Sequence, residues 1–335
     1  EKRIENCMKN EEKKMKKKNK LLKILLVVLL VITLTGCTQT LKDKDGKVVK
    51  NEETGQTITE NIVCKPTDKT TQKIYEENKV NIKDLPECNK MKISGEYEGL
   101  WNSFFVRPLA FIIIKIGNLV GSTAVSIIII TLLIRFALFP MTRKTVLQSE
   151  NMKKAQPEIQ RIEKKYEGKT DNESMTKKGQ EMMAVYKKYE IKPLSGCLFA
   201  FIQLPILLAF WEAINRVPAI FEGKFLGLNM GTTPSSAMAA GDWYYIFICI
   251  ILIAVTYFSY KLNPSMAGNE QMAKQQKMMT TIMTIFIGFM SFTLPTAIAF
   301  YWITSSVFTI LQNFLIKRSC LLYTSPSPRD ISGSR

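Results

Sequence analysis

Apolar runs, each close to the length of a bilayer crossing, alternate with charged segments along this chain: residues 122–139, 194–216, 243–260, 278–294 and 296–316. A spanning helix needs about 20 mainly apolar residues at about 1.5 Å of rise each. The pattern therefore predicts an all-α integral membrane protein with five transmembrane helices. Pro295 alone separates the last two runs, which predicts a tight helical hairpin turning near Leu294, Pro295 and Thr296. A further apolar stretch, residues 100–121, is interrupted by Arg107 and Lys115 and has Trp101 at one edge, so it reads as an N-terminal interfacial helix. Gly117 and Gly121 let the chain turn from it into the first span, which is expected to end at Pro140.

Between the first two runs, residues 140–193 change period. Met152, Ala155, Ile159, Ile162 and Tyr166 recur at spacings of three and four, as do Met182, Val185, Tyr186 and Tyr189. That periodicity predicts two amphipathic helices joined by a polar turn around Gly168, a helical hairpin outside the membrane. Residues 217–242 and 261–277 read as an outer and a cytoplasmic loop.

The amino terminus has the pattern of an export signal over residues 1–36: a basic stretch from Met15 to Lys23, a short apolar core, then Leu34-Thr35-Gly36-Cys37. Those four residues resemble a bacterial lipobox, which makes Cys37 the expected lipidation site and first residue of the mature chain; an uncleaved anchor is the alternative. The residues before Met15 read as a possible untranslated start. Residues 37–99 form a polar extracytoplasmic segment, with twelve Lys, Asp and Glu between Lys42 and Lys69 and little periodicity, and read as a tether or small loose domain. Outside the cytoplasm a disulfide between Cys64 and Cys88 is chemically permitted, although spacing alone cannot establish it.

The formal charge of +17 raises the question of nucleic acid. Its distribution favours membrane instead: residues 1–36 hold ten Lys/Arg against four Glu, and residues 140–193 hold thirteen against eight acids. The outer loop has Lys224 and, at its edge, Arg216. This bias places 140–193, 261–277 and the tail 317–335 in the cytoplasm. No aromatic-basic platform or motif for DNA is present. The chain has no histidine, which removes His-based acid–base chemistry and His-liganded metal sites, and the seven cysteines contain no CxxC pair. Neither an enzyme nor a cofactor or metal is expected.

Arg135 is the residue that needs a reason. A guanidinium keeps its charge in hydrocarbon, at a cost of roughly 2.5–3.5 kcal/mol or more at the bilayer centre. It lies about 7 Å along a helix from Pro140. Snorkelling to the inner headgroups and a wet cavity open to the cytoplasm both fit. Gln203 reads equally as interhelical glue or cavity lining, and Trp302, Thr304, Ser305, Ser306, Gln312 and Asn313 in the last run need partners or water. Glu212 and Lys261 are expected at the two interfaces, and Met278, Met279, Met283 and Met290 at lipid or core contacts.

Four segments, SIIIITLLIRFALFPMTR (126–143), QPEIQRI (156–162), PLSGCLFAFIQLPI (193–206) and LPTAIAFYW (294–302), together resemble the YidC/Oxa/Alb family of membrane protein insertases, in its Gram-positive lipoprotein form. The resemblance runs from about Leu100 to Arg318. It implies five spans around a hydrophilic groove, open to the cytoplasm and to lipid, with Arg135, Gln203 and Trp302 on its wall. It also implies nascent membrane proteins as substrates, and the Sec translocon, the ribosome and membrane lipids as partners. The Ser/Pro-rich tail departs from the basic end common in such proteins and reads as partly non-native. A small transporter or channel using Arg135 as an anion site is the competing reading, but no convincing internal repeat supports it. A lipid-anchored structural protein would leave the basic hairpin without a purpose.

Overall fold

A computed structural model describes residues 38–93, 99–191, 195–262 and 270–324 of the chain. The signal read over 1–36, the lipidation cysteine Cys37 and the end of the tail lie outside the described residues.

The fold is mostly helical. Its elements are α1 (Lys69–Glu77), a π-helical turn (Asn102–Val106) leading into α2 (Arg107–Val120), α3 (Thr123–Lys165), α4 (Asn172–Lys188), α5 (Ser195–Arg216), the short α6 (Pro218–Phe221), β1 (Lys224–Phe225), β2 (Leu228–Asn229), α7 (Pro234–Ala239), α8 (Tyr245–Leu262), α9 (Glu270–Thr293) and α10 (Thr296–Thr324). Among the described residues, four segments are long and apolar enough to cross a membrane: Asn102–Val120, Thr123–Lys165, Tyr245–Leu262 and Thr296–Arg318; Lys277–Thr293 is a shorter apolar helix. The stretch expected to lie at the interface thus also meets the length and composition of a span, and Trp101, expected at its edge, is fully buried.

Two further expectations need correction. First, the helix does not stop at Pro140: α3 runs through both Pro140 and Pro157 for 43 residues. A proline removes one backbone donor from the ladder. The carbonyl left without its helical donor is that of Phe136, and bonds to α10 on either side of the proline, at Arg135 and Thr142, brace the helix through it. The first span and the first hairpin helix are therefore one rod. Second, residues 38–93 are neither a tether nor loose. Leu41, Ile58, Ile62, Tyr75 and Ile82 make a core that takes in Phe221 from α6. Isolated bridges (Thr40 with Thr59, Lys42 with Val48, Lys50 with Thr57) replace regular strands. Side chains fix the turns, Asp43 accepting from the Asp45 and Lys47 amides and Asn51 from those of Glu53 and Thr54. Cys64 and Cys88 are bonded to each other.

The chain turns from α2 into α3 at Gly121, whose φ of 72° is left-handed, and Ser122 caps α3 by accepting from the Val125 amide. A Cβ on Gly117 would sit 3.1 Å from Thr123 Cγ2, so a small residue is needed for this close approach. At the far end of α3, Met152, Ala155, Ile159, Ile162 and Tyr166 pack against Val185, Met182, Tyr186 and Tyr189 of the α4 arm. The sequence Lys-Lys-Tyr-Glu occurs at both helix ends, 164–167 and 187–190. Each copy holds an acid on the opposite helix: Lys165 and Tyr166 meet Glu181, and Lys188 and Tyr189 meet Glu158. These bonds hold the Glu181 carboxyl below the usual range, Lys165 contributing first.

Candidate functional site

Parallel alignment of α3 and α10 creates the polar centre of the membrane part. Arg135 donates to the Ser305 hydroxyl, and Gln312 to the Thr142 hydroxyl. Both pairs are separated by 170 residues, so the two helices advance together and the second contact lies seven residues, about 10.5 Å, further along. Between them Phe136 meets the edge of Phe308 at 5.0 Å. The seven-residue step is two turns, so Arg135 and Thr142 share one face of α3 and Ser305 and Gln312 one face of α10.

Gln203, on α5, donates to the Tyr301 hydroxyl one turn before Ser305. Tyr301 in turn packs against Phe210, with ring centroids 4.5 Å apart. One turn of α10, residues 301–305, therefore gathers Arg135 from α3 and Gln203 from α5. Trp302 lies on the same turn but faces the two apolar clusters it is half-buried against. Arg135 is 8% exposed. Its guanidinium points into the helix interface and not out along α3 to the headgroups, as plain snorkelling would require. Gln203 acts as glue between α5 and α10 while remaining partly exposed.

Thr142 and Tyr301 are partners that the sequence did not single out. The signal for Thr142 was its place at i+7 from Arg135, and for Tyr301 its place at i−4 from Ser305. Below them Asn313 is buried, and its Nδ2 meets no acceptor among the described residues. Met278, Met279 and Met283 are exposed, while Met290 packs on the core.

The other end of the bundle is built differently. Glu212, expected at an interface, is 6% exposed and accepts from the Trp101 indole at 2.9 Å. Four residues on, Arg216 is buried and its Nε donates to the Asn61 carbonyl, while its own carbonyl accepts from the Val63 amide. The correction has a simple cause: Trp101 and the folded segment around Asn61 and Val63 cover this end of α5 and make it interior. Glu222 accepts from the Thr67 amide, the Thr67 hydroxyl and the Asp68 amide. Burial pushes its carboxyl above the usual range, outweighing these bonds. Nearby, burial also raises the Tyr75 phenol, with Glu222 adding to the shift. Finally, the loop between α5 and α8 caps α10, the Thr232 carbonyl accepting from the Thr296 amide and the Met230 carbonyl from that of Ala297.

Among the described residues no group of three or more acidic or cysteine side chains is placed to hold a metal. What the site offers is one buried cation beside neutral hydrogen-bonding side chains.

Known proteins match this arrangement over most of its length. A family model described as "60Kd inner membrane protein" matches residues 115–321. "Membrane protein insertase YidC 1" of Listeria monocytogenes is 38% identical over 225 residues, 67% of this chain and 74% of that protein. "Membrane protein insertase MisCA" of Bacillus subtilis is 35% identical over 254 residues, 75% of this chain and 92% of that one. A solved structure described as an active YidC insertase with its first transmembrane domain resolved covers 77% of this chain and 51% of its own, at 23% identity and a TM-score of 0.44. With the family model spanning residues 115–321, from α2 through the polar seam to α10, the chain belongs to the 60Kd inner membrane protein family.

Proposed function

We propose that this chain is a membrane protein insertase and chaperone, moving nascent membrane proteins from the cytoplasm into the bilayer through a positively charged hydrophilic groove. The observation that carries the reading is the position of Arg135: buried, turned into the α3–α10 seam, and surrounded by a turn that also gathers Gln203. A cation held there attracts acidic groups on a translocating tail. Polar side chains and water lower the desolvation cost that the tail would meet in hydrocarbon, while the substrate's apolar segment slides into lipid.

In this reading five helices cross the membrane: the start of α3, then α5, α8, α9 and α10. Arg135 and Gln203 line the groove, and Trp302, packed on the apolar clusters from the same turn of α10, borders it. The outer domain closes the outside, and the hairpin formed by the end of α3 and α4 reaches into the cytoplasm to meet substrate, ribosome or Sec translocon. The equal offset of the two α3–α10 contacts supports this topology, because the first and fifth spans must run the same way. Cys37 carries a lipid outside, as in the lipoprotein form of the family, and α2 lies at the outer interface. The chemistry is physical, with no cofactor.

The test depletes the natural protein, supplies Arg135→Ala or Arg135→Lys, and follows insertion of a small reporter with an acidic translocated tail. Lysine is expected to rescue better than alanine. Normal insertion by both variants would remove the groove role of Arg135.

A further inference from the structure

The groove reading needs Arg135 to stay aimed into the α3–α10 interface instead of lying along its own helix toward the headgroups. A side chain leaving the seam in that direction would travel down its own face of α3, over Leu138, Phe139 and then Thr142 at i+7. That last position is occupied. Thr142 is bonded to Gln312 from the facing helix, and both are buried. The pair closes the stripe one heptad inward of Arg135 and fixes the same register that brings Ser305 to the guanidinium.

We infer that the Thr142–Gln312 pair is a positioning device for Arg135, holding the guanidinium at groove depth and aligning Ser305 to receive it. The inference rests on the insertase reading and adds two residues to it. Neither residue touches the substrate in this role; both act through Arg135. Losing the clasp lets α3 and α10 shift and frees the cation to move toward the headgroups. What is lost is the response to acidic groups on the tail, not the fold.

The experiment uses the full-length protein in depleted cells, with two reporters that share one apolar segment and differ in an acidic or a neutral translocated tail. Thr142→Val keeps the shape and removes the hydroxyl, Thr142→Ser keeps the hydroxyl, Gln312→Leu removes the amide, and Arg135→Ala is the reference. Thr142→Val and Gln312→Leu are expected to slow the acidic-tail reporter roughly three- to fivefold, the size of one interhelical hydrogen bond. The neutral-tail reporter should be unaffected, Thr142→Ser should behave as wild type, and the double variant should be no worse than either single. Membrane abundance of each variant, measured in the same cells, separates a folding loss from a functional one. The inference is overturned if Thr142→Val handles the acidic tail normally while Arg135→Ala does not, or if both reporters slow equally. If Arg135→Ala itself inserts both reporters at the wild-type rate, the groove reading falls and the positioning role falls with it.

Discussion

The two ends of the bundle hold their polar groups in opposite ways. At the end where residues 38–93 pack, the outer end in the proposed orientation, a disulfide, a buried Trp101–Glu212 bond, Arg216 on a backbone carbonyl and Glu222 on three donors tie loop to domain. At the opposite end, side-chain bonds and the Phe136–Phe308 contact join α3 to α10, and the hairpin beyond them is clamped by exposed ion pairs. The first end is closed by a covalent cross-link and buried polar bonds, whereas the seam joins two helices by noncovalent contacts, the Phe136–Phe308 edge contact among them. The contrast explains how a protein could admit a polar chain from one side without leaking from the other.

The difference between the two ends sets the size of four expected effects. The largest effect is expected for Trp101→Ala, which empties a fully buried site between the outer domain and α5 and should cost about 3–5 kcal/mol, read as a lower melting temperature in lipid nanodiscs. Next is reduction of Cys64–Cys88, or Cys64→Ser with Cys88→Ser, expected to cost about 3 kcal/mol and to open residues 38–93 to protease while the membrane helices stay protected. A smaller effect follows from Glu222. Its folded carboxyl titrates above the unfolded one, so the stabilisation is full below the ordinary glutamate value and is lost as pH rises through the raised value. Protease resistance of the outer domain should therefore increase on mild acidification, and Glu222→Gln should flatten that dependence. The smallest effect is expected at the hairpin: Lys188→Ala removes an exposed ion pair, and its melting temperature should match wild type in high salt. A large loss there would mean that the hairpin is as rigid as the outer end.

Much of this organisation was legible from periodicity. The hairpin stripes of Met152, Ala155, Ile159 and Ile162 against Val185 pack together because a 3.6-residue period dictates one apolar face. The turn between α9 and α10 falls at Leu294 and Pro295, where the proline interrupts the ladder. Arg135 was conspicuous because a charge in an apolar run is costly wherever it points. The outer domain was not legible: its order comes from a cross-link, single bridges and capped turns, none of which produces a repeating pattern. Nor was the continuity of α3 through Pro140, since the proline rule is local and the bonds that brace the helix at Arg135 and Thr142 come from α10, 170 residues away. Glu212 was misplaced for a related reason, because its burial depends on Trp101 over a hundred residues earlier. Partners such as Tyr301 emerge only when the helices are set side by side.

Access of water to the seam from each side can be read from a cysteine at position 135. Arg135→Cys is placed in a chain whose Cys197, Cys249 and Cys320 are replaced by alanine and whose Cys64–Cys88 bond is left intact. A water-soluble thiol reagent is then applied to right-side-out or inverted membrane vesicles. A groove open to the cytoplasm and sealed by the outer domain predicts rapid labelling in inverted vesicles and none in right-side-out ones. Equal protection from both sides, or faster labelling from the outside, would contradict it.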